Sequence, residues 1–232
     1  MRIEEAPGGV RITPGRPNLA DEVRHYLGGP FELDPFYAFA ETEPVLAGIV
    51  PALRGFRPPL SPDPYETLVS AITAQQISLR AAFAVRNRFI QAFGVKAEVA
   101  YAFPTRERVA LAEPEEIVSL GFSRRKAEYA IAIARSDLDF LGLAAVPDDE
   151  VKAALTALPG IGEWTADWFL ARHLARPRAW PAGDLGVRKA VERFYGDGKT
   201  LKTNDVRAIG ERFDPFQNLT AHYLLAGLAR DA

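Results

Sequence analysis

The sequence predicts a mainly α-helical protein, and three observations carry that expectation. Apolar residues recur at helical spacing, as in Leu68 and Ile72, and again in Ala127, Ile131 and Ala134. Side chains able to cap a helix start precede most such segments: Asn18, Asp34, Asp63, Ser78, Thr105, Ser123, Asp148 and Thr203. A sustained period-two alternation is absent, so only one or two short strands are expected.

Taken in order, residues 1–17 are rich in glycine and proline and read as an arm, or as one short strand about Val10-Arg11-Ile12. From Asn18 onward the pattern is helical. Gly28-Gly29, Gly94, Gly121 and Gly142 stand where helices should stop. Pro51, Pro58, Pro59, Pro62 and Pro64 make an irregular connector, because proline lacks an N–H and restricts its neighbour. A division near residue 60 follows, with leading helices in residues 1–60 and a helical body in 61–232; the connector could equally be a loop inside one domain. Gln75 and Gln76 continue the spacing of Leu68 and Ile72, which places them at the end of that helix.

Composition narrows the chemistry. The 232 residues are 48% hydrophobic and 25% charged, enough to bury a core. The formal net charge of −2 excludes nucleic-acid binding by bulk charge, so any such binding must be local. The absence of cysteine excludes disulfides, thiolate catalysis and cysteine-ligated iron–sulfur clusters. His25, His173 and His222 share no metal-ligand spacing. No apolar run approaches the ~20 residues that span a bilayer, and Met1 to Glu5 carry no apolar signal region, so a soluble cytoplasmic protein without a membrane partner is expected.

The most informative stretch runs from Leu155 to Glu192. Its centre, Leu158-Pro159-Gly160-Ile161-Gly162-Glu163-Trp164-Thr165-Ala166, lies between apolar helices expected over Val151–Leu158 and Trp164–Leu174. Paired glycines permit a tight turn and close approach of a ligand. The second helix then offers unpaired N–H groups and its positive dipole end, a phosphate site that needs no lysine. A simple interhelical turn is the plain alternative. A dinucleotide motif fails because a helix precedes and the third glycine is missing.

Four collinear segments carry a resemblance. Leu158 to Ala166 resembles the helix–hairpin–helix of the HhH-GPD DNA glycosylase superfamily, and Trp180 to Lys189 resembles its Gly/Pro-rich loop with a catalytic aspartate. Asp63 to Ser78 and Gly121 to Ala127 are similar to segments of its AlkA-type 3-methyladenine DNA glycosylase II branch. The resemblance covers roughly residues 30–230. It implies a two-lobed helical fold, a monomer acting on double-stranded DNA, and removal of alkylated bases such as 3-methyladenine and 7-methylguanine by base flipping. Residues 1–60 would then hold a remnant of a larger N-terminal domain.

The resemblance also assigns residues. Asp184 would be the catalytic carboxylate, and by sequence alone it is also an N-cap. Trp164 stands where lyase relatives place a Schiff-base lysine, so the chain would be monofunctional. Trp164 and Trp168, four residues apart, would line the base pocket and stack on a cationic base; Leu225 stands where the branch has another aromatic, with Tyr129, Phe36 and Tyr37 as further wall candidates. Gln75 or Gln76 would fill the gap left by the flipped base. Gly160, Gly162 and the Thr165 hydroxyl would bind phosphate, with Arg124, Arg125, Lys126, Arg188 and Lys189 as auxiliary cations. No cofactor is required, but the carbonyls of Leu158 and Ile161 would suit a monovalent cation. Two alternatives stay open: the same fold acting on uracil, hypoxanthine or oxidised purines, and a non-catalytic DNA clamp, against which Asp184 speaks.

Overall fold

The computed structural model describes residues 2–13, 15 and 17–231. The leading arm is a two-stranded antiparallel hairpin, β1 (Arg2–Ala6) and β2 (Gly9–Thr13). One strand was expected there and two form; no residue of the first, Arg-Ile-Glu-Glu-Ala, is buried, so nothing in it demands alternation. A second hairpin, β3 (Lys96–Ala97) and β4 (Ala100–Tyr101), is two residues deep.

The rest is helical, as the spacing predicts. In order come α1 (Pro17–Tyr26), α2 (Leu33–Thr42), α3 (Pro44–Ile49), α4 (Pro64–Ala74), α5 (Leu79–Phe93), α6 (Arg106–Ala110) and α7 (Pro114–Val118). They are followed by α8 (Arg124–Arg135), α9 (Asp148–Thr156), α10 (Glu163–Arg172), α11 (Leu185–Tyr195), α12 (Thr203–Glu211) and α13 (Gln217–Asp231). No described helix is long and apolar enough to cross a membrane.

The caps are chemical. Asp63 Oδ1 accepts from Glu66 N at 2.6 Å, and the hydroxyls of Ser78, Thr105 and Ser123 accept from the backbone N–H three residues on. Three expected caps sit elsewhere. Asp34 lies in the first turn of α2, after Glu32 at the cap. Asp148 and Thr203 are the first residues of α9 and α12, after Pro147 and Lys202. An acidic group inside the first turn serves the helix dipole without capping, so sequence alone does not separate the two positions. The side chain of Asn18 lies outside the described residues. Gly142 ends no helix: α8 stops at Arg135, and Gly142 opens a single 3-10 turn whose N–H reaches Asp139 Oδ1.

Two cores form, and they do not part at residue 60. One joins α4 to α10 around Leu68, Ile72, Phe89, Ile117, Ile133, Leu155 and Phe169. The other joins the leading α2 and α3 to α11, α12 and α13 around Phe36, Leu46, Val191, Val206, Tyr223 and Leu224. Leu60, inside the proline connector, is buried in this second core, and Trp168 packs against both. Residues 31–60 therefore share a lobe with the α11 to α13 segment, and a cleft opens where the lobes meet.

Candidate active site

The hairpin between α9 and α10 turns at Gly160, whose φ is +81°, a region open to glycine and strained for other residues. A Cβ there would lie 2.2 Å from the Tyr129 ring. Tyr129 on α8 is thus the packing surface under the hairpin and is absent from the cavity lining, which corrects its assignment as a pocket wall. Gly162, with φ of −104°, faces open space and has no steric need for glycine. It caps α10 without a side chain; Thr165 N turns back to Gly162 O at 3.0 Å, and the N–H groups of Gly162, Glu163 and Trp164 meet no acceptor among the described residues. Glu163 in this first turn is neutralised by Arg207 Nη2 at 2.8 Å. Leu158 O accepts only Ile161 N, at 3.2 Å, and Ile161 O accepts no described hydrogen bond.

The loop after α4 is tied to this hairpin. Gln75 Nε2 donates to Gly160 O at 3.0 Å, and Gln75 is the C-cap of α4. Gln76 is exposed with φ of +57°, so both glutamines stand beyond the helix rather than in it. The Lys126 ammonium donates to Thr73 O at 3.0 Å and Gln75 O at 2.5 Å, closing the carbonyl end of α4. Burial holds its pKa below the ordinary lysine value. Lys126 is therefore a structural clamp and not a free phosphate ligand.

Other candidates scatter. The Thr165 hydroxyl is buried, with Thr165 2% exposed, so it cannot meet a phosphate. Phe36 and Tyr37 sit in the second core, where Tyr37 Oη accepts from Gly55 N at 2.7 Å; neither reaches the cavity. Arg124 is held by Glu115 at 2.7 Å and Glu128 at 3.1 Å. Arg188 is half-buried beside Glu192, while Arg125 and Lys189 are exposed.

Asp184, Trp164, Trp168 and Leu225 do come together. They line a cavity of about 550 Å³ between α4 and α5 on one side and α10 on the other. Asp184 caps α11, with Oδ1 accepting from Val187 N at 3.0 Å. Its other oxygen, Oδ2, accepts from Trp164 Nε1 at 2.8 Å and Trp168 Nε1 at 3.1 Å. The carboxylate is thus oriented by three N–H donors from two helices. The four-residue spacing puts both indoles on one face of α10, and the chain's return through Trp180 to Gly183 delivers the aspartate to their edges.

Two charged features of this cavity carry no sequence signal. Glu66 on α4 pairs with Arg86 on α5, whose Nε also donates to Ser70 Oγ at 2.9 Å. Burial raises the Glu66 carboxyl above its ordinary value. Arg172, at the end of α10, lays its guanidinium over Trp168, Cζ 4.9 Å from the ring centroid, and its Nε donates to His222 Nε2 at 3.4 Å. His222 Nδ1 lies 2.9 Å from Asn218 O and donates to it, and burial beside Arg172 pushes its pKa down to about 4. Arg172 is exposed by surface area because the cavity is open, yet protein packs densely about its charge; that desolvation lowers its pKa and the Asp184 carboxylate opposes the effect. Among the described residues, no group of three or more His, Cys, Asp and Glu could hold a metal ion.

Comparison with known proteins agrees with this geometry. Residues 69–215 match the family model of the HhH-GPD superfamily base excision DNA repair protein. The chain is 28% identical to the DNA-3-methyladenine glycosylase of Bacillus subtilis over 88% of its length and 71% of that protein's. It is 30% identical to DNA-3-methyladenine glycosylase 2 of Escherichia coli, over 72% of this chain and 58% of the relative. The structure superposes on the 3-methyladenine DNA glycosylase of Archaeoglobus fulgidus with a TM-score of 0.82 and 32% identity, covering 90% of this chain and 73% of that one. It is also similar to the Schizosaccharomyces pombe enzyme Mag1 in complex with abasic DNA, with a TM-score of 0.67 and 27% identity over 89% of this chain and 95% of that one. The matched segment spans most of α4 to α12, including the hairpin and Asp184, and the chain belongs to the HhH-GPD superfamily of base excision DNA repair proteins.

Proposed function

We propose that the chain is a monofunctional DNA glycosylase that hydrolyses the N-glycosidic bond of alkylated bases turned out of double-stranded DNA. The observation that carries this reading is the Asp184 carboxylate, oriented by two indole N–H groups in the wall of a cavity with ample room for a base. As the bond to the base breaks, its electrons leave with the base and positive charge grows on the sugar. A fixed carboxylate beside that charge stabilises the transition state more than the ground state. Water then bonds to the sugar carbon and loses its proton, either to Asp184 or to solvent. An alkylated base that carries a positive charge leaves as a neutral molecule, so its departure needs little acid assistance.

The strand stays uncut in this scheme because the residues lining the cavity include no lysine. The names of the Bacillus subtilis and Escherichia coli relatives support 3-methyladenine as a substrate. The unpaired N–H groups at the start of α10 would hold a backbone phosphate, fixing register without reading sequence. The carbonyls of Leu158 and Ile161, lightly used by the protein, fit a monovalent cation, which would add positive charge beside that phosphate. Gln76, exposed and next in the chain to Gln75, which bonds the hairpin at Gly160, would fill the space of the displaced base. The protein would work as a monomer.

The test is base release from methylated duplex DNA by the wild type and by Asp184→Asn, with strands resolved before and after alkali. Release of 3-methyladenine or 7-methylguanine, cleavage only after alkali, and an inactive variant that still binds DNA are expected. Cleavage without alkali would overturn the monofunctional assignment, and no release of any base would leave a DNA clamp.

A further inference from the structure

We propose that the part of the cavity between α4 and α5 is a compartment for a bulky apolar substituent on the extrahelical base, so that the substrate class extends from methylated to aralkylated purines. The inference rests on the reading of this cavity as the base pocket.

The cavity has room to spare. It measures about 550 Å³ and is continuous from Asp184, Trp164 and Trp168 to Tyr26, Leu79 and Phe83. Cavities of about 300–1,000 Å³ enclose drug-sized molecules, and a purine carrying only a methyl group leaves much of such a space unfilled. The extra space lies along α4 and α5. Ser70, Ala71 and Ala74 on one face of α4, and Ala82 on α5, line it with short side chains.

The far wall is apolar where it is free. Leu79 and Phe83, four residues apart on one face of α5, are 73% and 59% exposed. Large apolar side chains left in water beside a cavity mark a binding surface. The polar side chains on the same wall answer the protein itself. Glu66 pairs with Arg86, Arg86 Nε donates to Ser70 Oγ at 2.9 Å, and the Thr67 hydroxyl donates to Asp63 O at 2.7 Å. The Glu66–Arg86 pair brings no net charge, and its guanidinium is already engaged, so a backbone phosphate gains little here. An aryl or alkyl group gains by leaving water against Leu79 and Phe83.

The two ends of the cavity therefore differ in chemistry. At one end a carboxylate and two indoles suit a cationic ring. At the other, the free surface suits an uncharged apolar tail. A purine alkylated on a ring nitrogen by an aralkyl group carries both parts in one molecule. The bond broken is the same N-glycosidic bond, and the substituted base departs neutral with the bonding electrons while water bonds to the sugar.

The experiment follows single-turnover release of 3-benzyladenine and of 3-methyladenine from benzylated and methylated duplex DNA, with thermal midpoints recorded. The proteins are the wild type, Ala71→Leu, which fills the compartment, and Phe83→Ser, which removes its apolar wall; the readout is the ratio of the two rates. The wild type is expected to release both bases. Ala71→Leu is expected to lower the benzyl-to-methyl ratio at least about tenfold, as a steric block of a few carbon atoms does in an apolar pocket, and Phe83→Ser to lower it by a smaller factor. A wild type that releases 3-methyladenine but not 3-benzyladenine would overturn the proposal. So would a ratio that neither variant moves, which would place the benzyl group outside this compartment and leave the space to the DNA backbone. If Ala71→Leu fails to fold, Phe83→Ser, at an exposed position, decides alone by whether the ratio falls. A wild type that releases neither base would refute the glycosylase reading itself, and the compartment with it.

Discussion

Replacing Trp164 by phenylalanine separates two things an indole can do in this cavity. Phenylalanine keeps an aromatic surface on α10 but removes the N–H that meets Asp184 Oδ2 at 2.8 Å. Hydrogen bonds to charged groups contribute about 1.5–3 kcal/mol. Asp184 keeps its bonds from Trp168 and Val187, at 3.1 and 3.0 Å, so the carboxylate is loosened rather than released. If its orientation is what lowers the barrier, most of that energy appears in the rate, an expected loss of about 10- to 100-fold in the single-turnover constant. Weaker attraction of a cationic base to phenylalanine adds about 0.5–1 kcal/mol, and this part belongs to binding. The assay is single-turnover base release at saturating enzyme, with a double-mutant cycle in urea unfolding across Trp164→Phe and Asp184→Ala. A coupling of roughly 1–2 kcal/mol is expected for residues in direct contact. A rate within about twofold of wild type, or a coupling below about 0.3 kcal/mol, would show that the indole acts by stacking alone.

Gly160→Ala should destabilise the hairpin by more than about 1 kcal/mol, since a Cβ meets Tyr129 at a positive φ; Gly162→Ala, facing open space, should leave the thermal midpoint unchanged and weaken DNA binding only. The folded pKa of His222 is about 4 against 6.5 for the free side chain, so between those values only the unfolded chain takes up its proton. Stability is therefore full above pH ~6.5 and declines as pH falls toward 4, by up to about 3 kcal/mol. His173, lowered in the same direction, steepens the decline. Urea titrations at several pH values should show it, and His222→Gln should flatten it; greater stability in acid would contradict the assignment of a neutral buried imidazole. Lys126→Met should cost about 1–2 kcal/mol of stability by unsealing the end of α4, while the salt dependence of DNA affinity should stay unchanged, whereas loss of a phosphate ligand would reduce its log–log slope by about 0.9.

Much of the site was readable in one dimension because its parts are local. Asp184 as the cap of α11, the Trp164–Trp168 pair on one face of α10 and the glycine turn at Gly160 each follow from neighbours within four residues. Side chains whose environment comes from distant chain were misplaced. Phe36 and Tyr37 look like free aromatics until α13 covers them with Tyr223, and Lys126 looks like a solvated cation until the end of α4 meets it from 51 residues away. The Thr165 hydroxyl, on the correct helix for a phosphate contact, points into the core.

What the sequence by itself determined is the helical architecture, the hairpin, the carboxylate and the family. Periodicity, capping and turn chemistry are set by short-range sterics and hydrogen bonding, which a linear text records. Only the tertiary structure decided that residues 31–60 share a core with residues 182–224, that both indole N–H groups converge on one carboxylate oxygen, and that Arg172 enters the cavity held by a neutral His222. The physical reason is that burial, charge and donor–acceptor pairing in a cleft are properties of surfaces from separate elements, and these meet only when the two lobes close around it.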